Sequence, residues 1–561
     1  MNPGKQLMLL IFLSITLSGF SQANELKGWH LEDKAQSGIE GISLNKTYNF
    51  LKGKKSSPII VAVIDSGIDT THEDLKKVLW INPKEIPGNG IDDDSNGYTD
   101  DVHGWNFLGG RDGRNIKSEA TEQARIYHKY KSKFAGKLVN ATELNVEEKN
   151  DYLLWKVADS LVNVKPEDEV ELMFLEIALK TAKKHEKVLQ EEMNQQEFTG
   201  EELEKFKPQT QHGKRAKLGY ITFMKLVNID GEETNINTFN QMQEYISEKH
   251  KSIDAKVQLP ANNREEIIKD NYNDINDRFY GNNDVMGPSP MHGTHVSGII
   301  AEQRNNGIGA DGIAENVKLM MIRAIPDGDE FDKDVALAIK YAVDNGAKII
   351  NMSFGKDLSP EKKWVDEAIH YAELKDVLIV HAAGNDAANI DSAFNYPSPQ
   401  LIEFKELASN FITVGASSDP KVTNSYVADF SNYGKKTVDV FAPGEKIYST
   451  MPGSAYGFQK GTSMASPVVA GIAALIRSYY PKLSAKQVKF SIEHSVDIDS
   501  TATVERPGSA EKVMLYNLCS SGGCVNALKA IKLASTLQPE IKETKKVPLP
   551  KPSFKNKSTK S

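Results

Sequence analysis

Cysteine is scarce in this chain: its 561 residues include two, Cys519 and Cys524, separated only by Ser-Ser-Gly-Gly. So few thiols exclude a scaffold stapled together by disulfides. The pair itself reads either as a short disulfide loop in an oxidising compartment or as two free thiols. Zinc is excluded, because two sulfurs with no nearby histidine offer too few ligands. Long apolar runs are missing as well. Beyond the first residues no segment is apolar enough to span a bilayer, which excludes an integral membrane protein once the leader is removed. Nor is there a basic excess: the formal charge is −8, which excludes a nucleic-acid partner. What is present is 39% hydrophobic and 26% charged residues, a soluble composition long enough for more than one structural unit.

Residues 1–23 read as a secretory signal: Lys5, an apolar run from Leu7 to Leu17, then Ser21-Gln22-Ala23. Cleavage after Ala23 implies export to the periplasm or the medium. A polar lead-in, 24–57, follows. Ile59-Ile60-Val61-Ala62-Val63-Ile64 is a continuous β-branched run of the kind that forms a central parallel strand. It ends in Asp65-Ser66-Gly67. In open α/β sheets functional groups gather at the carboxyl ends of strands, so Asp65 is a candidate.

Between Gly88 and Asp101 lies an acidic stretch in which Asp92, Asp94 and Asn96 alternate before Gly97, with Asp100 following. Hard oxygens at that spacing predict a structural Ca2+ site on Asp92, Asp94, Asn96 and Asp100. His103 stands where an EF-hand loop carries its bidentate glutamate, so a complete EF-hand is excluded. From 111 to 280 the composition turns to Lys, Glu, Gln and Asn. Leu172, Leu175, Leu179 and Ala182 recur at helical spacing, which predicts a mostly α-helical insertion, read as a surface hairpin.

Strand and helix then alternate. Val317–Arg323, Ala347–Ser353, Val377–Ala383, 411–416 and 438–444 read as strands, and Asp334–Asn345 and Glu361–Glu373 as helices. This predicts an α/β fold with a central, mostly parallel sheet covered on both faces. His292 opens a helix in His-Gly-Thr-His-Val-Ser-Gly, and His295 one turn on reads as structural. Ser463, in Gly-Thr-Ser-Met-Ala-Ser-Pro, opens a buried helix of small residues. Pro467 is expected in that helix's first turn, where no intrahelical N–H is lost. A hydroxyl at a helix amino terminus sits beside free N–H groups that steady an oxyanion. Asn385, at another strand end, can add a side-chain amide.

Val-Ile-Asp65-Ser-Gly, His292-Gly-Thr-His-Val-Ser-Gly and Gly-Thr-Ser463-Met-Ala-Ser-Pro together resemble the subtilisin-like serine proteases, the subtilases, over 59–110 and 285–535. The resemblance implies a three-layer subtilisin-like fold and a serine endopeptidase working through an acyl-enzyme. It implies Asp65 as orienting acid, His292 as base, Ser463 as nucleophile and Asn385 as oxyanion donor. Ser353, Phe354 and Gly355 resemble the substrate-pairing strand; Ala382, Ala383 and Gly384 resemble the opposite pocket wall, with Asn395 at its base. The expected organisation is signal 1–23, lead-in 24–57, peptidase 58–110 and 281–536, insertion 111–280 and a disordered basic tail 537–561. A monomer acting on protein or peptide substrates, without an organic cofactor, is expected. A catalytically silent peptide-binding scaffold is disfavoured, because every polar group the chemistry needs is present. A lipase is disfavoured because Gly461-Thr462-Ser463-Met464-Ala465 lacks the second glycine of the nucleophile elbow.

Overall fold

The computed structural model describes residues 26–540, apart from 141, 228, 230, 232–233, 403, 424 and 498–502 and the side chains of 237, 241, 244 and 248. The leader and nearly all of the basic tail lie outside these residues. In chain order the principal elements begin with β1 (Ile59–Asp65) and β2 (Gly104–Asn106). Five long helices follow: α1 (Glu122–Phe134), α2 (Val146–Leu161), α3 (Pro166–Met193), α4 (Gln211–Leu226) and α5 (Asn235–Asp254). Next come α6 (Met291–Ala301), β3 (Val317–Arg323), α7 (Asp332–Asp344), β4 (Ile349–Met352), α8 (Lys362–Leu374) and β5 (Leu378–Ala382). The remainder is β6 (Phe411–Ser417), β7 (Val440–Pro443) and α9 (Thr462–Tyr479).

All seven strands join one parallel sheet in the order β2-β3-β1-β4-β5-β6-β7. The two-residue alternation of β1 sorts its side chains between two cores. Val61 and Val63 join Leu319 and Met321 under α6 and α9, while Ala62 and Ile64 join Met320 and Ile322 under α7 and α8. This is the predicted three-layer α/β arrangement. The strand order reverses between β1 and β4, so the carboxyl end of β1 opens at a topological switch point. Asp65 is the last residue of that strand.

Two features differ from the sequence reading. The lead-in is embedded: Trp29, Ile42 and Leu44 are fully buried in the main core, and Trp29 Nε1 donates to the Glu445 carbonyl at 3.0 Å. Its apolar residues sit in turns and short helices, which leave no periodic signal. The inserted helices form more than a hairpin. Leu172, Leu175, Leu179 and Ala182 face a core shared with Tyr220, Phe223, Phe239 and Met242, so α3, α4 and α5 pack together. A second cluster joins Phe134 of α1 to Trp155 and Ala158 of α2. Cys519 and Cys524 are free thiols, and burial pushes both thiol pKa values up.

Candidate active site

The end of β1 and the start of α6 meet through Asp65 and His292. Asp65 is 2% exposed, and its Oδ1 accepts from His292 Nδ1 at 2.7 Å and from the Ser66 N–H at 2.7 Å. That bond assigns the imidazole proton to Nδ1 and leaves Nε2 as the basic nitrogen. Gly293 makes the approach possible, because a Cβ there would lie 2.2 Å from the Gly67 carbonyl and 3.2 Å from the Asp65 side chain. Behind the strand end, buried Arg323 donates to the Ser66 carbonyl at 2.9 Å and to Asn106 Oδ1 at 3.0 Å. Burial lowers its pKa to about 10, which leaves it a cation near neutral pH. His295 is buried, with its pKa lowered to about 3 by burial, and its Nε2 lies 3.2 Å from the Gly457 carbonyl. It is a neutral packing residue, as expected.

Ser463 is the second residue of α9, entered through Gly461 at φ +144°, a conformation that favours glycine. Pro467 falls in the second turn, not the first. Having no N–H, it cannot bond the Ser463 carbonyl four residues earlier. That carbonyl instead accepts from Ser353 Oγ at 2.9 Å, and Ser463 Oγ donates to the Ser353 carbonyl at 3.1 Å. Proline thus frees a helix carbonyl that fastens the serine to the residue following β4. Asn385 Oδ1 accepts from both the N–H and the hydroxyl of Thr462, each at 2.9 Å. Its Nδ2 end therefore faces the cavity that Asn385, His292 and Ser463 line together, about 630 Å³ in volume. The first-turn N–H of Ser463 borders the same space.

The two expected pocket walls are also neighbours. Asn395 Nδ2 donates to the carbonyls of Ala382 (3.3 Å) and Ala383 (2.9 Å), and a Cβ on Gly355 would meet its Oδ1 at 2.5 Å. Asn395 therefore stands between the 353–355 and 382–384 segments. Phe354 is held by His381, whose Nε2 lies 2.8 Å from the Phe354 carbonyl.

In the acidic loop, Asp92 and Asp94 come together with Glu85, each presenting a carboxylate oxygen within 4.8 Å of the others. Asp100 lies outside this group; its two oxygens accept from the N–H groups of Gly88, Asn89 and Gly90, as Glu85, Asp92 and Asp94 also accept from N–H groups of the loop. Asn96 is also engaged within the loop, accepting from Tyr98 N and donating to Asp101. The structure thus brings two of the four predicted oxygen donors into one group and adds a glutamate ahead of the acidic run. Three hard carboxylates suit a cation such as Ca2+. Sequence reasoning also misses Arg323 and Thr462. An arginine closing an otherwise mostly apolar strand, Val317–Arg323, is the available signal for the first.

With this geometry in view, comparison with known proteins is decisive at the level of family. Residues 56–513 match the subtilase family (peptidase S8). The chain belongs to the subtilase family. Thermophilic serine proteinase of Bacillus sp. (strain AK1) is 39% identical over 228 residues, covering 40% of this chain and 51% of its own. Cell wall-associated protease of Bacillus subtilis (strain 168) is 34% identical over 234 residues, 41% of this chain and 24% of that protein. Thermitase of Thermoactinomyces vulgaris is 39% identical over 229 residues, 40% of this chain and 75% of that protein. The chain thus spans about half of the first relative and a quarter of the second.

Proposed function

We propose that the protein is an exported serine endopeptidase that cleaves peptide bonds through an acyl-enzyme. The observation that carries this reading is the 2.7 Å hydrogen bond from His292 Nδ1 to buried Asp65, made beside the same cavity that Ser463 and Asn385 line. Ser463 Oγ leaves the Ser353 carbonyl by rotation about χ1, a fast motion for a half-buried side chain. His292 Nε2 takes its proton as Oγ attacks the scissile carbonyl, and Asp65 steadies the imidazolium. Asn385 Nδ2 and the Ser463 N–H receive the developing oxyanion. His292 then protonates the leaving amine, and water repeats the sequence on the ester. The 353–355 segment pairs with the acyl-side peptide main chain, and 382–384 forms the opposite wall.

Export rests on the leader at 1–23, and the molecule acts as a monomer; among the described residues no helix is long and apolar enough to cross a membrane. Residues 58–110 and 281–536 form the peptidase domain, and 111–280 an insertion within it. A fluorophosphonate probe is expected to label the purified protein at Ser463. Labelling that persists in Ser463→Ala, or none in the wild type, overturns the assignment.

Glu85, Asp92 and Asp94 would hold a structural Ca2+, which on binding offsets the repulsion of the clustered carboxylates. An ion at 100 times its Kd stabilises the folded state by about 2.7 kcal/mol. EDTA is therefore expected to lower the Tm of the wild type and to leave that of Glu85→Gln nearly unchanged. An identical wild-type Tm with and without EDTA removes the metal from this reading.

A further inference from the structure

The cavity beside Ser463 is only half built by the sheet-bearing part of the molecule. On that side it is lined by Met291, His292, Asn385, Gln459, Lys460, Ser463 and Met464. The facing wall comes from the helical insertion: Leu175 of α3, Leu226 at the end of α4, Val227 and Ile229 just beyond it, and Met242 and Tyr245 of α5. Five of these six side chains are aliphatic or thioether, and the sixth is a phenol. Glu171 also lines this wall, its carboxylate held by Lys249 at 2.8 Å and by the Tyr245 hydroxyl at 3.3 Å. Outside that paired carboxylate and hydroxyl, the inserted wall is apolar.

None of the six residues assigned to the acyl side, Ser353 to Gly355 and Ala382 to Gly384, lines this cavity. A peptide running through the cleft passes Ser463 once, so space beside Ser463 and away from those two walls receives the residues beyond the scissile bond. From this we infer that the insertion builds a binding site for the leaving-group half of the substrate, selective for an apolar side chain directly after the cleaved bond. The inference rests on the endopeptidase reading for the direction of the chain. It assigns to Leu226, Val227 and Ile229 a role in specificity, not in the chemical step. An apolar substrate side chain loses water against this wall. A carboxylate would lose hydration there and meet Glu171 on the same wall, with Lys460 a cation only on the opposite side of the cavity.

The measurement uses the full-length protein and two kinds of substrate. Internally quenched peptides share one acyl half and carry Leu, Phe, Ser or Asp after the scissile bond, and a peptide methyl ester has only a methoxy group there. In the wild type, kcat/KM is expected to favour Leu over Asp by about tenfold or more. Leu226 is 50% exposed, so Leu226→Asp keeps the fold while changing the wall. It is expected to reduce that preference to below about threefold and to leave turnover of the methyl ester, which puts no side chain against this wall, within a factor of about two. An unchanged Leu-over-Asp ratio in Leu226→Asp, or no preference in the wild type, overturns the inference. Failure of the catalytic reading is seen separately, as absence of methyl-ester hydrolysis. In that event calorimetry on Ser463→Ala with peptides beginning in Leu or in Asp still decides. Tighter binding of the Leu peptide, weakened by Leu226→Asp, supports the site; equal binding rejects it.

Discussion

His292→Ala is expected to lower kcat on a peptide p-nitroanilide by about six orders of magnitude, the size of loss that removing the base causes in subtilisin itself. The direction follows from the geometry. Ser463 Oγ rests on the Ser353 carbonyl, an acceptor far too weakly basic to keep the hydroxyl proton once the acyl bond forms. Imidazole is the nearby group matched to that proton near neutral pH. Its tautomer is set by the bond to Asp65. Removing the imidazole therefore leaves proton transfer to water, with only the Asn385 amide and the Ser463 N–H still favouring the transition state. Since nucleophile and base act as one unit, the Ser463→Ala/His292→Ala double variant is expected to be no slower than either single one. Asp65→Ala should fall between them and the wild type, because the base survives without its orienting carboxylate. Active-site-titrated kinetics decide this, and a His292→Ala protein retaining more than about 1% of wild-type kcat would show that another group takes the proton.

How much of this is legible in the sequence differs from residue to residue, and the differences have physical causes. The strand before Asp65 is readable because a parallel strand buried on both faces must be a continuous apolar run. His292 and Ser463 are readable because their neighbours are small for a local reason: Gly293 lets α6 approach Gly67, and Gly461 supplies a left-handed entry to α9. For Pro467 the expected position is one turn too early. Sequence rules count the lost N–H but cannot foresee that Ser353, over a hundred residues away, compensates the freed carbonyl. Glu85 escapes notice because acidic-loop spacing counts forward from Asp92, whereas this carboxylate comes from the preceding turn. The helices of the insertion are visible in their period. Their position over the cleft is not, because helical spacing shows which face is buried and never against what.

Arg264→Ala is expected to destabilise the protein by about 3–5 kcal/mol, the cost of stranding buried charges when one partner is removed. Arg264 lies between the inserted helices and α6 in the chain, and its guanidinium reaches Asp334 of α7 through two bonds of 2.8 and 2.9 Å. The same group donates to Asp270 at 2.8 Å, and Lys333 donates to Asp270 at 2.6 Å. Two cations and two carboxylates thus balance in a site where all four side chains are at most 8% exposed. Tyr280 adds a hydrogen bond to Asp334, and the guanidinium stacks on Phe331, 4.8 Å from its centroid. Deleting Arg264 leaves Asp334 and Asp270 facing one another with a single lysine. Lys205→Ala provides the contrast: its pair with Glu201 is largely exposed, so its loss should cost less than about 0.5 kcal/mol. Urea midpoints compare the two, and limited proteolysis between 255 and 280 reports whether the insertion loosens first. A shift for Arg264→Ala as small as that for Lys205→Ala would mean that the cluster holds nothing in place. The clamp also bears on the cleft, because a wall carried on inserted helices selects between substrates only if those helices are kept from drifting. Arg264→Ala should accordingly weaken the leaving-group preference at temperatures where methyl-ester turnover is still intact, since the serine, histidine and aspartate stand on the sheet and its own helices.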